Sequence, residues 1–211
     1  MLARMAALAA GCAVAACAVV GDRSGTEEPR YEVVGRAGAT EIRRYAPRIA
    51  AETEIEADAE AARNAGFRRL AGYIFGGNRG GAKIAMTAPV AQAPAEGTRI
   101  AMTAPAAQQP AGPGRWTVRF FMPAQWTLAT LPVPDDPAVR LVEMPAETMA
   151  VIRFSGDRGA AAVAAREAEL LRALAGTPWS PMGQPVAWFY DPPWTLPWLR
   201  RNEVAVPVSG G

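Results

Sequence analysis

Lys83–Gln108 reads KIAMTAPVAQAPAEGTRIAMTAPAAQ, and within it the hexapeptide Ile-Ala-Met-Thr-Ala-Pro occurs twice, at Ile84–Pro89 and again at Ile100–Pro105. In an extended chain Ile84, Met86, Ala88 and Val90 share one face, as do Ile100, Met102 and Ala104. Between the copies, Gln92–Thr98 holds Pro94 and Gly97, residues suited to a reversing loop. The spacing predicts two strands folded into a hairpin, with Trp116–Met122 as the third strand of a meander. The repeated methionines leave two readings open. Met86 and Met102 are soft sulfur ligands for a metal, or they are polarizable side chains filling a seam between strands. Nothing else near them in the sequence coordinates a metal, which favours packing.

Upstream, Tyr31–Arg36, Glu41–Tyr45 and Arg48–Ile55 alternate large and small or polar side chains as strands do. Asp58–Ile74 is helical by spacing, with Ala59, Arg63, Phe67, Leu70 and Ile74 on one line at three- and four-residue steps. The helix stops at Phe75-Gly76-Gly77-Asn78, where the backbone can turn left-handed. Downstream the plan recurs: strands at Arg140–Met144 and Thr148–Phe154, a turn at Ser155-Gly156-Asp157, and a helix over Gly159–Leu174. Strands at Val186–Tyr190 and Asn202–Val208 then bracket an insertion rich in Pro and Trp. The order of elements predicts an α+β fold: a distorted antiparallel β-barrel of two pseudo-symmetric strand–helix–strand halves, with the two α-helices outside. One helix is too little to cover an open sheet, so the halves share one.

The 211 residues carry a net charge of +2, and no basic stripe of the kind nucleic acid requires. There is no histidine, which excludes imidazole metal ligands, a histidine general base and a histidine triad. The two cysteines, Cys12 and Cys17, lie at the N-terminus, so the folded body has neither thiol nor disulfide. Arg4 followed by the apolar run Met5–Ala16 has the make-up of a signal peptide. It ends in Val14-Ala15-Ala16-Cys17, which resembles the lipobox of bacterial lipoproteins. The expected organisation is a signal peptide at 1–17, a flexible tether at 18–30 and a folded domain at 31–208, with Cys17 lipidated. The anchored chain would face the periplasm, and Ala18 after the cysteine favours the outer membrane. Simple cleavage would instead release a periplasmic or secreted protein.

Tyr73-Ile-Phe-Gly-Gly-Asn78 followed by Lys83-Ile-Ala-Met-Thr-Ala-Pro-Val90 resembles the SOUL/haem-binding-protein family. So do Trp116-Thr-Val-Arg-Phe-Phe-Met-Pro123, Val151-Ile-Arg-Phe-Ser-Gly156, Tyr190-Asp-Pro-Pro193 and Arg200-Arg-Asn-Glu-Val204. The resemblance spans Tyr31 to Val208 in the family's order. It implies a non-enzymatic, monomeric protein binding haem or a related tetrapyrrole on the outer surface near the first helix, for transport or buffering. Carried over by position, Arg63 would face a propionate, while Phe67, Leu70 and Ile74 would offer apolar contact to the ring. Without histidine, the iron would be unligated by protein or held by Met, Tyr or an unusual donor.

Two readings compete with this one. The wider superfamily includes small-molecule-binding and hydrolytic domains, in which a buried Glu203 of raised pKa beside the Tyr190 phenol would act as a base. An alternative for Glu203, next to Arg200 and Arg201, is a structural ion pair. The segment Trp188–Trp198 would line a ligand cleft, fold over the barrel, or present a patch to a membrane or partner.

Overall fold

The computed structural model of the protein describes residues 21–95 and 114–210. Within them lie strands β1 (Tyr31–Ala37), β2 (Thr40–Tyr45) and β3 (Arg48–Ala57), then helix α1 (Ala59–Ile74), followed by β4 (Val90–Pro94) and β5 (Gly114–Phe121). The second half supplies β6 (Arg140–Met144), β7 (Glu147–Phe154), helix α2 (Ala160–Leu174), β8 (Ser180–Pro181), β9 (Val186–Phe189) and β10 (Asn202–Ser209). The fold is α+β, with all ten strands in one antiparallel sheet of order β1-β2-β7-β10-β9-β4-β5-β3-β6, and β8 paired to β10.

From β2 to β6 that order is palindromic. The pairs β2 and β6, β7 and β3, β10 and β5, and β9 and β4 hold equal positions from the two ends. Each half follows its second strand with a helix, so the duplicated plan is present, and the two halves interleave in one sheet. β2 and β3 sit six strand spacings apart, about 29 Å on a flat sheet. Yet only Ala46-Pro47 joins them, and three Cα steps reach at most about 11 Å. Pro145-Ala146 joins β6 to β7 across the same separation. The sheet therefore curls until its ends approach, and Arg48 Nη2 meets Glu147 Oε1 at 2.5 Å where the two links cross. The hydrogen-bonded path nonetheless ends at β1 and at β6, so the expected closed barrel is an open, strongly curled sheet.

Alternation along the strands sorts the interior into three cores. Ala50, Phe121, Met149, Val151, Trp188 and Ala205 fill the inside of the curl. Ala51, Val118 and Phe120 point outward under α1, where Leu70, Tyr73, Ile74 and Ile84 meet them. Ile42, Ala150, Ile152, Val204 and Val206 point outward under α2, against Leu170 and Leu174. α1 begins at Asp58, whose carboxylate accepts from Ala61 N at 2.8 Å. Its approach to the sheet is set by Gly66, where a Cβ would stand 2.6 Å from Val118 Cγ2.

The doubled hexapeptide departs from expectation. Its first copy, Ile84–Pro89, is irregular; strand pairing starts at Val90 and runs through Gln92 to Pro94, where a loop was predicted. Thr87 bridges to Glu27 and donates to Phe121 O, and Gln92 reaches from β4 to Ala59 O at 2.6 Å. Backbone and side-chain groups in this stretch thus bond to neighbours other than a hairpin partner. The second copy lies outside the described residues. The supposed tether is also partly docked: Arg23 pairs with Asp191, Glu28 with Arg201, and the Glu27 carboxylate accepts from Ala124 N.

Candidate functional site

β9 and β4 lie at the middle of the sheet, between the strands that carry the two helices. Phe189, at the end of β9, faces outward there and collects two cations. The Arg63 guanidinium, from the second turn of α1, lies 4.6 Å from its ring centroid. That of Arg158, from the turn leading into α2, lies at 5.9 Å. Arg63 is only 8% exposed, its Nη1 donates to Arg158 O at 3.5 Å, and its buried Nε has no partner. Arg158 Nη1 donates to Asp191 O at 3.1 Å. Neither guanidinium forms an ion pair among the described residues, although carboxylates pair with many of the other arginines.

Electrostatics follow from that placement. Burial pulls Arg63 below its ordinary pKa, opposed by the charge of Glu60. Burial, then the charges of Arg63 and Arg200, pull Arg158 down as well. Both remain cations near neutrality; the Glu60 and Asp191 charges ease the patch, but no carboxylate among the described residues pairs with either guanidinium. An anion arriving there gains charge-assisted hydrogen bonds and relieves the repulsion.

The other residues anticipated on α1 divide. Phe67, one turn beyond Arg63, is 38% exposed and meets Phe120 edge-on at 5.3 Å. Leu70 and Ile74 do not reach the surface; they are fully packed in the core beneath the helix. The predicted apolar line is rotated from the real one, which runs through Ala62, Gly66, Leu70 and Tyr73. Met86 is exposed rather than filling a seam, Met102 lies outside the described residues, and no cluster of metal-ligating His, Cys, Asp or Glu occurs among the described ones. Cys17 likewise lies outside them.

Tyr190 and Glu203 do come together, inside the curl of the sheet. The Tyr190 hydroxyl donates to Glu203 Oε2 at 2.7 Å. Arg43 adds two bonds to the same carboxylate, at 2.8 and 3.2 Å, and Arg201 Nε a further one at 3.0 Å. Glu41 and Glu28 in turn hold Arg43 and Arg201. Glu203 has no exposed surface. Its burial alone would raise the carboxyl, but the arginines and the phenol outweigh it and hold it below the ordinary range. Burial pushes Tyr190 well up, and the Glu203 charge adds to the effect. A sealed, fully bonded carboxylate with a lowered pKa is an ion-pair anchor and a poor proton acceptor. The raised pKa expected for a catalytic Glu203 is therefore reversed.

A cleft of about 630 Å³ opens where the two interstrand links cross, and nothing in the sequence reading pointed to it. Phe121, Met122, Trp126, Leu128 and Met144 make its apolar wall, and Glu27–Arg30 close one side. Its only sequence signal is the pair of proline-containing links, Ala46-Pro47 and Pro145-Ala146, which have no obvious role until the strand order is known.

No curated protein matches the chain in sequence. Among solved structures it resembles the EcmrR protein of an EcmrR–DNA complex, with a TM-score of 0.58 at 10% identity, over 82% of this chain and 57% of that one. It also resembles the isolated EcmrR C-terminal domain, with a TM-score of 0.54 at 11% identity, over 86% of this chain and 99% of that one. A hydrolase encoded by lin2189 of Listeria innocua gives 0.54 at 12% identity, over 81% of this chain and 91% of that one. At such identities these likenesses concern the fold alone. Sequence signatures go further, matching the SOUL heme-binding protein family over residues 26–207. That span takes in both helices and reaches all ten strands, and on it the chain belongs to the SOUL heme-binding protein family.

Proposed function

We propose that the protein binds haem or a related tetrapyrrole on its outer surface, transporting or buffering it in the bacterial cell envelope. Arg63 and Arg158 hold the ligand's carboxylates, and Phe67 offers an aromatic edge to the ring. The observation that carries this reading is the pair of guanidinium groups over Phe189 that form no ion pair among the described residues, with the exposed Phe67 one turn away. Two cations beside an apolar surface suit a flat ring bearing two carboxylates. Ring burial contributes about 25 cal/mol per Å², so binding does not require an iron ligand. The chain has no histidine to give one. Binding without catalysis agrees with a Glu203 that is sealed and held in ion pairs. Lipidation at Cys17, drawn from the lipobox-like Val14–Cys17, keeps the protein at the membrane facing the periplasm.

Titration of the protein with haemin tests the assignment. A Soret shift and quenching of the tryptophans at micromolar haemin are expected. An Arg63→Met/Arg158→Met double variant should weaken haemin about tenfold or more, the loss expected for charge-assisted bonds. The dimethyl ester of haemin should bind both proteins alike. No spectral change with the native protein would sink the proposal.

The cleft of about 630 Å³ supports a second location for the same ligand, because its wall is largely apolar and aromatic. Leu128→Glu places a charge in its wall. If that variant loses haemin and the arginine variant keeps it, the ring lies in the cleft.

A further inference from the structure

The segment between β9 and β10 exposes three large apolar side chains together. Trp194 is 63% exposed, Trp198 68% and Leu199 39%. They are not displayed by a loose loop. Arg200 binds Thr195 O at 2.8 Å and Pro193 O at 2.7 Å, and a 3₁₀ turn at Pro197–Leu199 closes through Leu199 N to Leu196 O. Gly156 N donates to Pro197 O, which ties the segment to the turn before α2. Such a braced platform shows its indoles to the outside in one arrangement.

The N-terminal segment runs along this same platform. A Cβ at Gly21 would stand 2.8 Å from Leu199 O, and Arg23 pairs with Asp191, three residues before Trp194, at 2.6 Å. Only three residues separate Gly21 from Cys17, so four Cα steps reach at most about 14 Å when fully extended. A lipid on Cys17 therefore brings Leu199, and the indoles beside it, to within that distance of a bilayer.

We propose that Trp194, Trp198 and Leu199 form a membrane-seating platform that inserts into the headgroup region of a phospholipid bilayer; the proposal rests on the lipid anchor at Cys17. Indoles favour that region because their rings are apolar and their N–H groups still find hydrogen-bond partners there. The half-buried Arg200 guanidinium, bonded to carbonyls and in no ion pair among the described residues, adds attraction to anionic headgroups. Seating on this loop fixes the orientation of the body. It also brings the Arg158 patch, which is bonded to Asp191 O, to the bilayer margin.

The test uses the full-length chain, purified from a lipoprotein-processing bacterium and reconstituted in phosphatidylcholine–phosphatidylglycerol vesicles with or without lipids brominated near the headgroups. Intact mass and flotation report the anchor separately from the platform. The platform predicts that brominated lipid quenches tryptophan emission. Most of that quenching should vanish in Trp194→Ser/Trp198→Ser, while the mass added by the lipid, flotation and thermal unfolding stay unchanged. A lipidated, floating protein that is not quenched, or is quenched equally with both indoles removed, overturns the platform and leaves the anchor standing. A chain with unmodified Cys17 that does not float overturns the anchor and the platform with it.

Discussion

Two arginine clusters in this protein use the same side chain to opposite ends. Arg43 and Arg201 meet around Glu203 inside the curl of the sheet, and each has a second carboxylate behind it, Glu41 or Glu28. Arg63 and Arg158 meet around Phe189 on the outer face and form no ion pair among the described residues. The first cluster is electrostatically complete, and its charges serve the fold. The second is incomplete: Glu60 and Asp191 ease its repulsion without forming an ion pair with either guanidinium. What distinguishes a candidate site here is the missing counter-charge, more than burial or the type of residue.

The largest break in this comparison comes from Glu203→Gln, which leaves two buried guanidinium groups without their shared carboxylate. A loss of about 3–5 kcal/mol in urea unfolding is expected. Haemin binding by the folded fraction should be unchanged, since the outer patch is untouched. Equal loss of binding would mean that the two clusters are not independent.

Gly66→Ala acts on the other side of the comparison. Its Cβ would stand 2.6 Å from Val118 Cγ2, so α1 must shift off the sheet. A cost of about 1–3 kcal/mol by thermal or urea unfolding is expected. Haemin affinity should fall as well, because α1 carries Arg63 and Phe67.

Acidification separates the clusters by sign. The folded Glu203 carboxyl lies below its ordinary value of 4.5, so its contribution is complete above that pH and fades as pH falls through the folded value. There the unfolded chain binds more protons, and stability rises with pH. The native protein should therefore lose stability on acidification below about pH 4.5, and Glu203→Gln should show a shallower acid limb in denaturant titrations at stepped pH.

Arg63→Met should show the smallest effect on stability. Loss of a cation–π contact and relief of repulsion oppose each other, so a change within about 1 kcal/mol of native is expected. Binding should weaken all the same. A loss of several kcal/mol would identify Arg63 as a structural residue like Arg43.

Periodicity located both helices to within a residue and most strands to within two, because the polar–apolar pattern is a local property of the chain. The pairing of Tyr190 with Glu203 is also within reach of the sequence, since Tyr190 directly follows β9 and Glu203 lies on its neighbour β10. Its meaning is not. Arg43, which decides the Glu203 pKa, is 160 positions away and arrives only through the pairing of β2, β7 and β10. The face of α1 was misread for a different reason. Gly66 and the alanines weigh little in an apolar count, although Gly66 is the point of closest contact with the sheet. The expected line runs through Phe67, which is 38% exposed, whereas the buried face runs through Tyr73.

By itself the sequence determined the composition limits, the duplicated order of elements, the family resemblance and the candidacy of Arg63. Each of these is carried by local spacing or by residues that are simply present or absent. Tertiary structure alone decided that the first copy of the hexapeptide is irregular and not a strand, and that the two halves interleave in one curled sheet. It also decided which arginines meet a carboxylate and which do not. Charge compensation depends on strands far apart in the chain, and no local pattern records which of them will become neighbours.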